Sequence, residues 1–408
     1  MPTISQTRRQ FLQALGATGA VSLGGTLPGL WSRCLAAETT APNDRILVLI
    51  QLAGGNDGLN TVIPISDDAY YKARPGIAIG RGAALELNDR VGLHPSLGGF
   101  RKLWDAGRLA IVEGVGFPEP NRSHFRSMDI WHSAAPDDQY PETGWIGRSL
   151  DQISQRLHDA REAACIGMDK QPLACIGEKV TPPTIQRLED FRLNHLPNRN
   201  RGVDSPHWVT ASNAPAEGEL AFLRRSAVAT VTSAQRLENL SDYRSEMNYP
   251  STGLGRKLRL VAQMIAAELP TRIFFVSLEG FDTHSQQQPG HAALLTELSN
   301  AMQAFVGDLD EQGLGERVLV TTFSEFGRRV AENGSLGTDH GAASVLFAVT
   351  PTGKGGLYGK PPSLTDLDDG DPKFTTDFRR VYATVLDRWL QIPSSPILGA
   401  DYQPLSFA

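Results

Sequence analysis

Apolar positions fall along this chain in two rhythms. Five short runs are almost continuously apolar: Arg45 to Leu52, Leu109 to Val115, Arg272 to Leu278, Arg317 to Phe323 and Ser344 to Val349. Runs of this length, rich in β-branched residues, predict strands covered on both faces, as in a parallel sheet. Longer stretches with helical spacing lie between them: one near Leu97 to Trp104, GRKLRLVAQMIAAEL before the third run, and HAALLTELSNAMQAFVGDLDEQGLG before the fourth. The tail TTDFRRVYATVLDRWLQI spaces Phe378, Tyr382, Val385, Leu386 and Trp389 as a core-facing helix would. Helices alternating with buried strands predict an α/β fold of three layers around a mostly parallel sheet. Residues 148–248 break the rhythm with polar stretches, scattered prolines and the charged run FRLNHLPNRNRGVDSPHW. They read as an insertion or cap over the sheet edge. There is no internal repeat and no low-complexity tract.

The N-terminus changes the picture more than composition does. Arg8-Arg9-Gln10-Phe11-Leu12 precedes a weakly apolar run and the small residues Ala36 and Ala37. A charged start, short apolar centre and small-residue end describe a signal peptide, whereas a spanning helix needs about 20 strongly apolar residues. The paired arginines resemble the twin-arginine export signal, so residues 1–37 are expected to be removed. The α/β domain then covers 44–408 and is periplasmic or secreted, with no transmembrane span in the mature chain. The export translocase is its first expected partner. Cleavage also removes Cys34, leaving Cys165 and Cys175 as either one disulfide or two buried thiols. Two cysteines without a CxxC spacing do not make a zinc site. At 408 residues, 21% charged and a net charge of −6, the chain gives no reason to expect nucleic acid as a partner.

In doubly wound sheets, ligands sit beyond the carboxyl ends of the strands. Polar residues gather there in this sequence. Asp57 follows the first run in Gly54-Gly55-Asn56-Asp57-Gly58, and Asn121-Arg122-Ser123-His124-Phe125-Arg126 follows the second. The third ends in Glu279-Gly280-Phe281-Asp282-Thr283-His284, the fourth in Ser324-Glu325-Phe326-Gly327-Arg328, and Thr338-Asp339-His340-Gly341 leads into the fifth. Carboxylates and imidazoles from five loops at one edge suit one or two divalent cations. Each motif alone has a plainer reading. Asp57 fits a turn, Asp339 and Ser123 fit helix caps, and Glu325 with Arg328 fits a surface ion pair.

Taken together, these motifs resemble a bacterial family exported by the twin-arginine pathway and known as a domain of unknown function. That family is similar in turn to the alkaline phosphatase and sulfatase superfamily. The resemblance implies an alkaline phosphatase-like fold and a metal site drawn from Asp57, Asp282, His284, Glu325, Asp339 and His340. The metal would be zinc, manganese, calcium or magnesium. Ser123 is the implied nucleophile, with His124 or His291 as acid and Arg122, Arg126 or Arg328 as a fork for substrate oxygens.

Two registers fit the later motifs. In one, Asp339-His340-Gly341 is the superfamily's Asp-His-Gly, and no histidine remains to close the site. In the preferred one, Glu325 takes the place of the Asp, Phe326 that of the His, and His340 is the final histidine. No cysteine stands near Ser123, so modified-cysteine sulfatase chemistry is not supported. The expected function is metal-dependent hydrolysis of a small anionic ester, phosphate or sulfate. The alternative is a non-catalytic scaffold of the same fold, binding an anionic ligand or an envelope protein partner, with no metal required.

Overall fold

The computed structural model describes residues 45–136, 138–157, 162–168, 170–180, 182, 184–185, 243–269, 271–351 and 353–408. The predicted signal peptide and residues 186–242 lie outside them. The described residues from 45 to 185 and from 244 to 408 belong to one compact unit, which holds the sheet and the centre below.

The five apolar runs are strands of one sheet. They are β1 (Ile46–Ala53), β2 (Leu109–Gly116), β5 (Thr271–Glu279), β6 (Val318–Phe323) and β7 (Ser344–Val349). Four shorter strands complete it: β3 (Glu162–Ile166), β4 (Thr184–Ile185), β8 (Gly356–Gly359) and β9 (Thr376–Asp377). The order is β8-β2-β7-β6-β1-β5-β3-β4, with β9 also paired to β2. Every pairing is parallel except those of β7 with β6 and β2, so β7 alone runs against the rest. That reversal matters for the site. The start of β7 lies at the edge where β1, β5 and β6 end, which brings His340 to their carboxyl termini.

The sheet's two faces are filled as the period of two requires. Leu47 and Leu49 of β1 enter the core built by α3 (His124–Ser133), α4 (Trp145–Leu157) and α7 (Phe378–Ala383), while Ile46, Val48 and Ile50 alternate with them and are buried too. Trp131 of α3 is stacked on Phe378 at 4.3 Å between ring centres, and Trp145 on Tyr382 at 4.4 Å. Across the sheet lie α2 (Gly98–Asp105), α5 (Gly253–Ala266) and α6 (Gln287–Glu311), the last beginning one turn earlier than its apolar spacing predicts.

The stretch read as an insertion divides. Up to Ile185 it supplies α4, whose Leu150 and Ile153 are core residues, and the strands β3 and β4 at the end of the sheet. This part is sheet and core, not a cap over them. Cys165 and Cys175 are both buried and unlinked. Burial, with Cys165 as hydrogen-bond neighbour, pushes the Cys175 thiol up. Among the described residues no helix is long and apolar enough to cross a membrane.

Candidate metal centre

Four loops and the N-terminus of α3 meet at the carboxyl edge. β1 ends at Gly54 and Gly55, whose φ of 117° and 78° lie in the region that favours glycine. A Cβ on Gly54 would stand 2.4 Å from the Asp282 backbone nitrogen, and one on Gly55 2.2 Å from the Phe326 ring. Two glycines therefore let the loops after β1, β5 and β6 close on one another. Ser324 links the same loops, accepting from the Asn56 N–H at 2.8 Å and donating to the Leu52 carbonyl at 2.6 Å. Ser127 ties α3 to them by donating to the Glu325 carbonyl at 2.6 Å.

Three imidazoles and one carboxylate point into this junction. His284 Nε2 lies 2.8 Å from His340 Nε2, and these two atoms lie 3.0 and 3.2 Å from Asp282 Oδ1. His124 Nε2 faces Asp282 Oδ2 at 3.4 Å and is buried without a hydrogen-bond partner. The other nitrogen of each ring is held from behind. His340 Nδ1–H donates to the Arg122 carbonyl at 2.8 Å, and His124 Nδ1–H to Glu325 Oε1 at 2.9 Å. His284 Nδ1 faces Asp339 Oδ1 at 3.4 Å. Because a carbonyl or carboxylate only accepts, these partners leave the lone pair on Nε2 in all three rings.

Bare nitrogens 2.8 Å apart beside a carboxylate repel unless a positive charge lies among them. Donors about 2.0–2.1 Å from a zinc-sized cation in tetrahedral array stand about 3.3–3.4 Å from one another. The three spacings to the Asp282 carboxylate, 3.0, 3.2 and 3.4 Å, are close to that figure, and backing of the second ring nitrogen is the usual arrangement for metal-bound histidine. His124, Asp282 and His340 can hold a metal ion, their donor atoms lying within 4.8 Å of one another. His284 adjoins two of the three.

Charge is arranged to keep Asp282 ionised. Burial pushes its carboxyl up, but the hydrogen bond and charge of Arg328, with the His340 and His284 imidazoles close by, outweigh that and hold it at about 2. Burial pushes the His340 imidazole down. The hydrogen bond from Asn333, ahead of the opposing effect of burial, lowers the Asp339 carboxyl.

The residues singled out in the sequence take different posts. Asp282, His284, His340 and His124 meet; His124 was expected as an acid and stands instead among the donors. Glu325, expected as a ligand, is fully buried behind His124 and also accepts the Gly54 N–H at 2.8 Å. Asp339 stands behind His284, with Asn333 donating to it at 3.1 Å. Asp57 is committed elsewhere: its carboxylate pairs with buried Arg74 at 2.6 Å, accepts from Gln287 and caps the helix α1 (Gly58–Thr61). Arg74 outweighs the effect of burial and holds the Asp57 carboxyl low.

Arg328, expected to bind substrate, is buried and donates to the Gly54, Gly55, Phe281 and Thr338 carbonyls and to Asp282, which it braces. Arg122 pairs with Asp369 and Asp371. Arg126 donates to the Gln139 carbonyl and lies over the Tyr140 ring. His291 is buried against Asn56, 3.0 Å away. Ser123 precedes α3 with an exposed side chain that makes no capping hydrogen bond. Phe326 lies beside the His124 and His340 rings, 4.9 and 4.5 Å between centres, as an apolar wall. Sequence reasoning missed Arg74, Gln287 and Asn333, which lie in stretches with no motif to mark them.

Solved structures of similar fold include a protein in the alkaline phosphatase superfamily from Vibrio parahaemolyticus, 8% identical over 97% of this chain and 78% of that one, with a TM-score of 0.36. The C-terminal periplasmic domain of EcEptC from Escherichia coli, in complex with zinc, is 10% identical over 76% of this chain and 74% of that one, at 0.36. Murine ectonucleotide pyrophosphatase/phosphodiesterase 5 is 8% identical over 69% of this chain, at 0.32, and the match spans 57% of the murine protein's length. At these scores the likenesses carry no chemistry over to this chain. No curated protein matches its sequence significantly. Residues 85–398 match the family described as protein of unknown function (DUF1501), and the chain belongs to that family.

Proposed function

We propose that this protein is an exported, metal-dependent hydrolase of phosphate or sulfate esters. One observation carries the reading: the Nε2 atoms of His124, His284 and His340 converge on Asp282 while their Nδ1 atoms face Glu325, Asp339 and the Arg122 carbonyl. A cation held by His124, Asp282 and His340, with His284 beside them, would supply Lewis-acid stabilisation of charge at the ester oxygens. Glu325, Asp339 and Arg122 fix the rings, Arg328 fixes Asp282, and Phe326 keeps water from one side of the rings. Ser123 stands one residue before His124 with its hydroxyl unused by the helix it precedes, which suits a nucleophile. Its Oγ would bond to phosphorus or sulfur as the alcohol leaves and takes a proton. Water would then cleave the seryl ester and restore the hydroxyl.

A second reading, a scaffold that binds an anion without turnover, is favoured by the engagement of Arg328 and Arg122 in the protein's own contacts. Assay of chromogenic phosphate and sulfate mono- and diesters, with each divalent metal added in turn, separates the two. The hydrolase reading expects metal-dependent turnover that Ser123→Ala lowers by roughly a hundredfold or more. Metal-loaded protein inert to all of these esters would leave the scaffold reading.

A further inference from the structure

A cavity of about 160 Å³ opens beside α1, between the start of β7 and residues 361–364. None of the three histidines lines it. Leu59, Val62, Val91 and Leu364 supply apolar wall, and two acidic residues line it: exposed Asp67, whose carboxylate accepts from the Ala69 N–H, and Glu113 of β2. Glu113 is only 5% exposed, and its carboxylate has no hydrogen bond or ion pair among the described residues. A carboxylate set this deep, with no protein partner, has lost much of its hydration and faces the cavity as an unused acceptor.

The strand is built to aim it there. Ser344 pairs with Val115 but Leu346 with Val112, so β2 carries one residue more than β7 over this interval. Gly114 absorbs the extra residue with φ of 62°. Val112 and Val115, three apart, consequently face the same core, which strict alternation forbids. A bulge of this kind re-aims a side chain, and here the side chain is Glu113. Arg90 lines the same cavity from an exposed position, near enough to be felt but without an ion pair to Glu113. Burial pushes the Glu113 carboxyl up against the charge of Arg90.

We propose that this cavity is a binding site for a small organic cation, a protonated aliphatic amine whose head pairs with Glu113 and whose body fills the apolar walls. Cavities of this size hold molecules about as large as benzene. A charge-assisted hydrogen bond to a buried carboxylate is the interaction the site lacks. The site does not depend on the metal centre or on hydrolase activity.

The test is calorimetric titration of the full chain with cyclopentylammonium chloride at neutral pH, with cyclopentanol as the uncharged twin. The expected result is saturable one-to-one binding of the amine, at least about tenfold weaker binding of the alcohol, and at least about tenfold weaker amine binding in Glu113→Gln. Arg90→Gln removes a like charge at the exposed rim and should tighten amine binding. It decides the matter if Glu113→Gln does not fold. Absence of saturable amine binding, equal affinity for the alcohol, or affinity unmoved by both variants would overturn the proposal.

Discussion

His124 and Glu325 are joined by a hydrogen bond of 2.9 Å between Nδ1 and Oε1, and the carboxylate making it is fully buried. The bond turns the free nitrogen of His124 toward Asp282. A carboxylate in this position fixes the ring's orientation and raises its basicity, so its effect would reach a bound cation through the imidazole. Glu325→Gln keeps the shape and an accepting oxygen but removes the charge. Metal affinity, measured by competition with a chromophoric chelator, should fall by about 10–100-fold. Asp339→Asn should cost less, because Asp339 lies 3.4 Å from His284 and its side chain is 54% exposed. Equal losses in the two variants would count against this division of labour.

Asp57 and Arg74 form an ion pair with both side chains fully buried. Removing one partner leaves an uncompensated charge. Asp57→Asn should therefore cost roughly 3–5 kcal/mol in denaturant unfolding. The folded fraction should keep its full complement of metal, since Asp57 serves the fold and not the centre. Loss of metal without loss of stability would return Asp57 to the ligand set.

Gly55→Ala sets a Cβ 2.2 Å from the Phe326 ring at a φ of 78°. Strain and clash act together, and the variant should lose at least about 2 kcal/mol, visible as a lowered melting temperature. A melting temperature within error of the parent would show that the loops after β1 and β6 are not packed as described.

Three buried histidines outside the centre set an acid limit on stability. Burial pushes His132 down to about 3, and His94 and His291 to about 4, from an ordinary value of 6.5. Between the two limits the unfolded chain binds protons that the folded one refuses. Stability is thus fully present above about pH 6.5 and declines as pH falls toward 4. Each histidine contributes up to about 1.4 kcal/mol per pH unit in that window. His132 is 3.1 Å from Gln51, and His132→Gln should flatten the decline by about one proton's worth. An unchanged slope would mean that another group governs it.

The strands were legible because Leu47 to Ile50 and Phe274 to Val276 are buried on both faces, and continuous apolar runs report that state directly. Direction was not legible: SVLFAV reads the same whichever way its strand runs, and only pairing with β2 and β6 shows β7 to be reversed. Glu162–Ile166 and Gly356–Gly359 are short and join the sheet through their neighbours more than through their own pattern. At the centre, sequence placed the right loops together but could not divide their labour. A carboxylate that binds a cation and one that braces a histidine are the same residue type after the same kind of strand. Asp282 and Glu325 differ in what stands beside them, Arg328 for one and His124 for the other. Asp57 misled because its partner, Arg74, sits 17 residues on in a stretch with no marking pattern.

Elemental analysis of the purified chain beside Asp282→Asn and His340→Ala tests the metal centre most directly. The arrangement predicts close to one divalent cation per chain in the parent, and folded variants that have lost it. Folded parent protein that stays metal-free after incubation with zinc, manganese, calcium and magnesium, or variants that bind as much as the parent, would contradict it.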